Sequence, residues 1–222
     1  KKKNIGFNVY YKKPMHLEKV FSNLGLKKNS FPKSEKFLVV DCTGVNKSEK
    51  LLEPYFERKA SYVLISAPIE SSNVQNIVYG INHQSIDTSA YKIFTAASCT
   101  TNCLAPIVKV LEENIGIKHG SITTIHNITN SQTIVDAPKN NLRRSRSGIN
   151  SLIPTTTGSA RAISLIYPEL KARLNGHAVR VPLLNASLTD CVFEMKQNVE
   201  VDKINQLFNE ASNTYLRDIL SY

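Results

Sequence analysis

The stretch Tyr91-Lys92-Ile93-Phe94-Thr95-Ala96-Ala97-Ser98-Cys99-Thr100-Thr101-Asn102-Cys103-Leu104-Ala105-Pro106 carries a strand pattern straight into a helix pattern. Residues 91–96 form a short β-branched and aromatic run, and downstream Leu104, Ile107, Val108 and Leu111 recur at helical spacing. Cys99 therefore falls at a predicted helix N-terminus, where unpaired N–H groups and the positive end of the macrodipole favour an anionic sulfur. A second reading of the same residues stays open: Cys99 as a small buried apolar side chain, with Ser98 or Thr100 as an ordinary helix cap.

Working outward, two regimes appear. Between Phe37 and Ala96, short runs at 38–42, 62–66, 77–81 and 91–96 read as strands and alternate with helical or loop stretches such as 47–58, which predicts a mostly parallel α/β sheet. From Ser121 onward the expected strands are longer (121–128, 177–183 and 188–196), with helix signals at 158–167 and 201–216, an α+β arrangement. The boundary falls near Cys99.

A chain of 222 residues is long enough for a sizeable core, and a hydrophobic content of 41% is that of a globular protein. No apolar run approaches ~18 residues, so no membrane span is expected, and no apolar h-region follows the opening lysines. Cys42, Cys99, Cys103 and Cys191 show neither metal-ligand spacing nor a secreted disulfide pattern, so reduced thiols and a cytoplasmic location are expected. The formal charge of +10 is concentrated at the start: residues 1–36 carry ten lysines against Glu18 and Glu35. Interleaved with Phe7, Tyr10, Tyr11 and Phe21, this arm could hold nucleic acid or an acidic surface, or be a solvated lysine-rich face. No nucleic-acid-binding motif accompanies it, which favours the solvated face.

Ala97–Pro106 resembles the active-site signature of phosphorylating glyceraldehyde-3-phosphate dehydrogenases, in which the first cysteine of Ser-Cys-Thr-Thr-Asn-Cys attacks the substrate aldehyde. The resemblance extends from about Phe37 to the C-terminus. Asp41-Cys42-Thr43-Gly44-Val45 and Ile65-Ser66-Ala67-Pro68 are similar to the strand ends that contact the nicotinamide cofactor, and Gly80-Ile81-Asn82-His83 to the family's Gly-Val-Asn-His. Thr123-Thr124-Ile125-His126-Asn127-Ile128-Thr129 resembles the strand that bears the catalytic histidine. Pro154-Thr155-Thr156-Thr157-Gly158-Ser159-Ala160 and Val179-Arg180-Val181-Pro182 resemble the phosphate-binding turn and the anion-clamping arginine.

The resemblance implies a Rossmann-type α/β cofactor domain over residues 1–97, without its N-terminal part and poorly assigned over 1–36. An α+β catalytic domain with a mainly antiparallel sheet, without its C-terminal part, would follow over 98–222. It implies oxidation of an aldose phosphate with reduction of NAD, NADP remaining open, by Cys99 as nucleophile and His126 as base. Thr43, Gly44, Ser66 and Ala67 would contact the cofactor. Thr129, Ser131 and Arg180 would hold the substrate phosphate of glyceraldehyde 3-phosphate, and Ser98, Thr100, Thr157 and Gly158 the attacking phosphate or arsenate. Arg146 is the expected additional phosphate-site arginine, with Arg143 and Arg144 as rivals. Without the resemblance, His126 reads as a structural histidine, Arg180 as a surface strand residue and Thr157-Gly158 as a helix start; His16, His83, His119 and His177 keep such structural readings.

Departures are also visible. Leu142-Arg143-Arg144-Ser145-Arg146-Ser147-Gly148 replaces a tryptophan- and glycine-containing loop. With His126-Asn127-Ile128-Thr129 and Asn175-Gly176-His177-Ala178-Val179-Arg180, it is closer to the branch associated with arsenate resistance. Erythrose-4-phosphate dehydrogenase is the alternative enzyme reading, and an inactive truncated piece acting as a basic binding module is the alternative of another class. No Gly-x-Gly-x-x-Gly spacing exists among the nine glycines. An internal fragment is therefore expected, inactive and poorly stable in isolation because parallel strands would lack neighbours, and a homotetramer when complete.

Overall fold

The computed structural model describes residues 38–222. The lysine-rich arm, with His16 and its four aromatic residues, and the first part of the expected 1–97 domain lie outside the described residues.

Four short strands, β1 (Leu38–Asp41), β2 (Tyr62–Ile65), β3 (Val74–Asn76) and β4 (Ile93–Thr95), form a sheet in the order β1-β2-β4-β3, every pairing parallel. Parallel neighbours need a crossover, and α1 (Glu49–Glu57) supplies the one between β1 and β2. Its Leu52 and Tyr55 pack on Val63, Ile65 and Ile93, the side chains that alternate onto one face of the sheet. Leu38 and Val40 alternate to the other face and are exposed.

The expected strand at 77–81 is displaced to β3. Asn82 turns the chain there: its side-chain oxygen accepts from Val78 N–H at 2.8 Å and its amide donates to Asn76 O at 2.9 Å. Ile77 N–H still donates to Thr95 O of β4 at 2.9 Å, but from Val78 onward the chain enters a turn that passes through Gly80 at φ +82°.

From β4 the chain enters α2 (Cys99–Asn114), whose Leu104, Ala105, Val108 and Leu111 are buried in the second core. Gly116, at φ +82°, donates to Leu111 O at 2.9 Å and stops the helix in the left-handed conformation that suits glycine. A second sheet of β5 (Ile117–Asn127), β6 (Ile153–Thr156), β7 (Leu174–Val181) and β8 (Ser187–Met195) has the order β6-β7-β5-β8. Its central pair β5/β7 is parallel and the two outer pairings are antiparallel, so the sheet is mixed, mainly antiparallel by its pairings with a parallel pair at its centre.

β6 was unexpected, because Pro154 in its middle reads as a turn; on an edge strand the missing N–H costs no ladder bond if it faces outward. The helix signal at 158–167 contracts to α3 (Ser159–Ile163), and that at 201–216 becomes α4 (Val201–Asn213). α2 and α4 cover one face of the second sheet, with Ile117, Ile122, Ile163, Leu170, Leu207 and Leu216 between the layers. Each fully buried side chain of this size contributes about 1.5–3 kcal/mol by leaving water.

Along that covered face, register sets a gradient from apolar to polar. Ile122 lies opposite Gly176 and Cys191; Thr124 opposite Ala178 and Thr189; His126 opposite Arg180 and Ser187. The polar end of the face is where the N-terminus of α2 arrives.

Candidate active site

The turn between β4 and α2 is strained at one residue. Ala97 adopts φ +54°, a left-handed conformation that costs a non-glycine residue about 1 kcal/mol or more, and it is buried. Thr95 Oγ1 accepts its N–H at 3.1 Å. Ser98 then takes the extended conformation of an N-cap, and its Oγ accepts from Thr101 N–H at 3.1 Å. The amide of Asn102 closes the turn, donating to Ala96 O at 2.8 Å and Ser98 O at 2.9 Å. Cys99 is thereby fixed as the first helical residue with an exposed side chain, while Thr100 and Thr101 are buried beneath it.

His126, near the end of β5, is buried and directs Nε2 at Cys99 Sγ, 3.4 Å away. Arg180 sits directly across the parallel β5/β7 pair, so both side chains emerge on the same face. One guanidinium nitrogen of Arg180 lies 2.7 Å from His126 Nδ1 and donates to Asn127 O at 2.9 Å. Burial pushes the guanidinium below its ordinary value and Arg144 acts in the same direction, while the Cys99 sulfur opposes them. A nucleophile, an imidazole and a cation thus meet within a few ångströms, though they come from α2, β5 and β7.

Around this centre the other expected residues fall into groups. Thr129 Oγ1 and Ser131 Oγ, in the loop after β5, lie 2.9 Å apart. Gln132, absent from the sequence reading, holds that loop: its Oε1 accepts from Thr129 N–H at 3.0 Å. Thr157 Oγ1 donates to Ser159 Oγ at 3.1 Å at the entry to α3, a helix packed on both α2 and β7. Beside it Gly158 faces open space, since a Cβ there would meet nothing within 4 Å.

The three arginines of the 142–146 loop separate. Arg146 is exposed and pairs with Asp136 at 2.5 Å, and Arg143 is exposed as well. Arg144 instead donates from Nε and a terminal nitrogen to Thr155 Oγ1 of β6, at 3.1 and 2.8 Å, which brings its charge within reach of Arg180. Among the described residues, the buried side-chain polar atoms without a partner are Thr124 Oγ1, Gln132 Nε2 and Arg180 Nε. All three lie on or just beyond the β5/β7 pair, and buried groups of this kind mark a place where a ligand completes the hydrogen bonding.

Thr43 and Gly44 follow β1, and Ser66 and Ala67 follow β2, so all four stand at the carboxyl ends of parallel strands, the edge from which α2 also starts. Ligands of open α/β sheets bind along such edges. Asp41 organises this one, accepting from Thr43 N–H and Oγ1 at 2.8 and 2.7 Å, from Asn46 at 2.7 Å and from Tyr55 at 3.0 Å. Burial works to raise its carboxyl, but the bonds from Asn46, Thr43 and Tyr55 together outweigh it and hold the group below the usual range. The remaining histidines lie elsewhere: His83 accepts from Gly80 N–H at 3.0 Å, and His119 pairs with Glu194 at 3.2 Å.

Residues 98–222 match the family model described as glyceraldehyde 3-phosphate dehydrogenase, C-terminal domain. The chain belongs to the glyceraldehyde 3-phosphate dehydrogenase family. Among relatives, it is 56% identical over 186 residues to glyceraldehyde-3-phosphate dehydrogenase 3 of Nostoc sp., covering 83% of this chain and 55% of that protein. It is 44% identical over 185 residues to glyceraldehyde-3-phosphate dehydrogenase 1 of Bacillus cereus, with the same two shares. The enzyme of Geobacillus stearothermophilus is likewise 44% identical over 185 residues, again 83% of this chain and 55% of the relative. The chain thus spans about half the length of these family members. Among the described residues no helix is long and apolar enough to cross a membrane.

Proposed function

We propose that this chain carries the catalytic half of a phosphorylating aldehyde dehydrogenase acting on glyceraldehyde 3-phosphate. The observation that carries the reading is the 3.4 Å approach of His126 Nε2 to Cys99 Sγ at the exposed start of α2. Family membership and the relatives' designation as glyceraldehyde-3-phosphate dehydrogenases support it. Cys99 thiolate adds to the aldehyde carbon, and His126 takes the hydroxyl proton of the resulting hemithioacetal as general base. The Cys99 N–H, at the helix start, and the His126 ring hold the developing oxyanion.

NAD or NADP, when bound, would supply the hydride acceptor needed for the hemithioacetal on Cys99 to become a thioester. Thr43, Gly44, Ser66 and Ala67 fit its nicotinamide-bearing side: all four line the strand-end edge beside Cys99, and a Cβ at Gly44 would meet nothing within 4 Å. Inorganic phosphate, or its near-isostere arsenate, then attacks the Cys99 thioester from a pocket formed by Ser98, Thr100, Thr157 and Gly158. Thr129, Ser131 and Arg180 take the substrate phosphate, a guanidinium fork matching two phosphate oxygens at once. Arg144, rather than Arg146, is the second cation of that pocket, because Asp136 already engages Arg146.

The test uses the last step in reverse, which needs no nicotinamide. Incubating the 222-residue chain with 3-phosphoglyceroyl phosphate is expected to transfer one acyl group to Cys99, located by mass spectrometry. Cys99→Ser should show no adduct and His126→Asn should slow acylation by about 10²–10⁴-fold. Equal labelling of Cys42 and Cys103 would defeat the reading.

A further inference from the structure

Gln132 is buried in the loop after β5, where an apolar side chain would pack at less cost. Among the described residues its Nε2 has no hydrogen-bond partner, and a buried amide N–H in that state is a penalty that a methionine of similar length would not carry. Turning the amide over gives no relief. Thr129 N–H donates to Oε1 at 3.0 Å and Thr129 Oγ1 donates to the same oxygen at 3.3 Å, so exchanging the two ends of the amide would set Nε2 against a backbone donor. What glutamine supplies here, and methionine would not, is an acceptor for Thr129.

That acceptor closes a tight turn. Gln132 N–H returns a bond to Thr129 O at 3.0 Å and Ser131 N–H donates to Thr129 Oγ1 at 3.4 Å, so residues 129–132 fold about the Thr129 side chain. Thr129 Oγ1 and Ser131 Oγ end 2.9 Å apart, close enough to meet one phosphate group together. Gly148 backs the turn: a Cβ there would come within 2.9 Å of Gln132 Cβ and 3.1 Å of Ile128 Cγ2, and Gly148 N–H donates to Thr133 O at 2.7 Å. The stem of Gln132 is thus packed against Gly148 while its oxygen holds Thr129.

We propose that Gln132 is a positioning residue for recognition of the substrate phosphate: by fixing the backbone and hydroxyl of Thr129, it makes the site select acyl donors that carry a second phosphate. The proposal rests on the reading that Thr129 and Ser131 receive that phosphate. Gln132 itself does not touch the substrate. When the phosphate binds, Thr129 N–H keeps its bond to Oε1 while the hydroxyl proton turns from Oε1 to a phosphate oxygen, a charge-assisted bond stronger than the one given up. Without the acceptor, Thr129 N–H loses its partner and the hydroxyl loses its fixed direction.

The test compares two acyl donors on the full 222-residue chain. With either, the Cys99 sulfur bonds to the acyl carbon, the carbon–oxygen bond to phosphate breaks, and inorganic phosphate leaves with the electron pair. 3-Phosphoglyceroyl phosphate carries a second phosphate; acetyl phosphate does not. The readout is the ratio of the two acylation rate constants, followed by mass spectrometry of the Cys99 peptide, and wild type should favour the donor with two phosphates. Thr129→Val should lower the ratio by about tenfold or more, the worth of a hydrogen bond to a charged group. Gln132→Met should lower it by a similar factor, and adding Gln132→Met to Thr129→Val should lower it little further, because one residue acts through the other. A merely structural role would slow both donors together. An unchanged ratio in Gln132→Met, or losses that multiply in the double variant, would overturn the proposal. No preference in wild type, or an unchanged ratio in Thr129→Val, would instead defeat the phosphate-pocket reading and the proposal with it. Should Gln132→Met fail to fold, Gln132→Asn, whose shorter side chain withdraws the same oxygen, decides by the same ratio.

Discussion

Cys191 shows how much a few ångströms of placement matter to a thiol. It sits on β8 opposite Ile122, packed against the second core, and burial, with Cys103 and Asp190 nearby, pushes it up to about 11. At neutral pH it is a protonated, slow nucleophile, whereas Cys99 stands exposed at a helix start beside an imidazole. Timed iodoacetamide labelling followed by peptide mapping should modify Cys99 before Cys103 and leave Cys191 last; early labelling of Cys191 in the folded chain would contradict this placement. Gly158 provides a second residue-level check. Its backbone is at φ −86°, ordinary for any residue, and the space above it is open, so nothing in the fold requires glycine. Gly158→Ala should unfold at the same denaturant concentration as wild type; if Gly158 lines the proposed anion pocket, it should also slow phosphate attack on the proposed Cys99 thioester by about tenfold or more, a barrier change of ~1.4 kcal/mol.

Cys99 and His126 are legible in the sequence because their neighbours form compact, distinctive strings. The choice among Arg143, Arg144 and Arg146 is not. Three arginines within four positions differ only in which distant partner each meets, Asp136 for Arg146 and Thr155 for Arg144, and spacing holds no record of that. Gln132 was missed for a related reason: a lone polar residue in a loop has no pattern until its oxygen is seen holding Thr129.

At the scale of elements, α2 is both a carrier of Cys99 and a structural beam. Leu104 is fully buried among the second-core side chains, one turn beyond Cys99. Leu104→Ala should cost about 2–5 kcal/mol in chemical denaturation, the range for large-to-small core changes. The β1–α1 connection has its own dependence on pH. Because the folded Asp41 carboxyl is held below its ordinary value, its contribution is fully present above about pH 4, where the unfolded carboxylate is ionised, and is lost as pH falls through the depressed folded value. Asp41→Asn should flatten the acid limb of the stability curve, measured by thermal melts between neutral and strongly acidic pH. An unchanged acid limb would show that the carboxyl is not stabilised in the folded state. Elements with a strong period, such as α2, β1 and β2, could be read from the chain. β3 and β6 could not, since a side-chain amide 6 residues beyond β3 bends the first away from its β-branched run and edge position rescues a proline in the second.

At the scale of the whole molecule, among the described residues one face of the second sheet is covered by helices and the other is not. Ile125 and Leu188 share one row of the uncovered face and Val192 stands two rows away, with Thr123 and the exposed Asp190 between them; Leu188 and Val192 are 60% and 67% exposed. We propose that these exposed apolar side chains, grouped around one carboxylate, belong to a subunit contact. A second copy of this chain is the occupant we propose for that face. The paired substitution Leu188→Asp with Val192→Asp should lower the sedimentation coefficient of the associated chain while leaving its melting temperature nearly unchanged. A monomeric wild type with the same coefficient as the variant would remove the argument.

His126 and Arg180 face one another only because β5 and β7 run in the same direction with His126 opposite Arg180. Slipping that alignment by one position turns a side chain through the sheet to the far surface. An inserted residue ahead of Leu174 is absorbed by the connection, whereas the same insertion between Leu174 and Arg180 would deliver valine to the imidazole and carry the cation out into solvent. Chemistry in this chain is therefore sensitive to counting along β7, and an insertion ahead of Ala178 would disturb the packing as well, by delivering His177 to the buried place of Ala178.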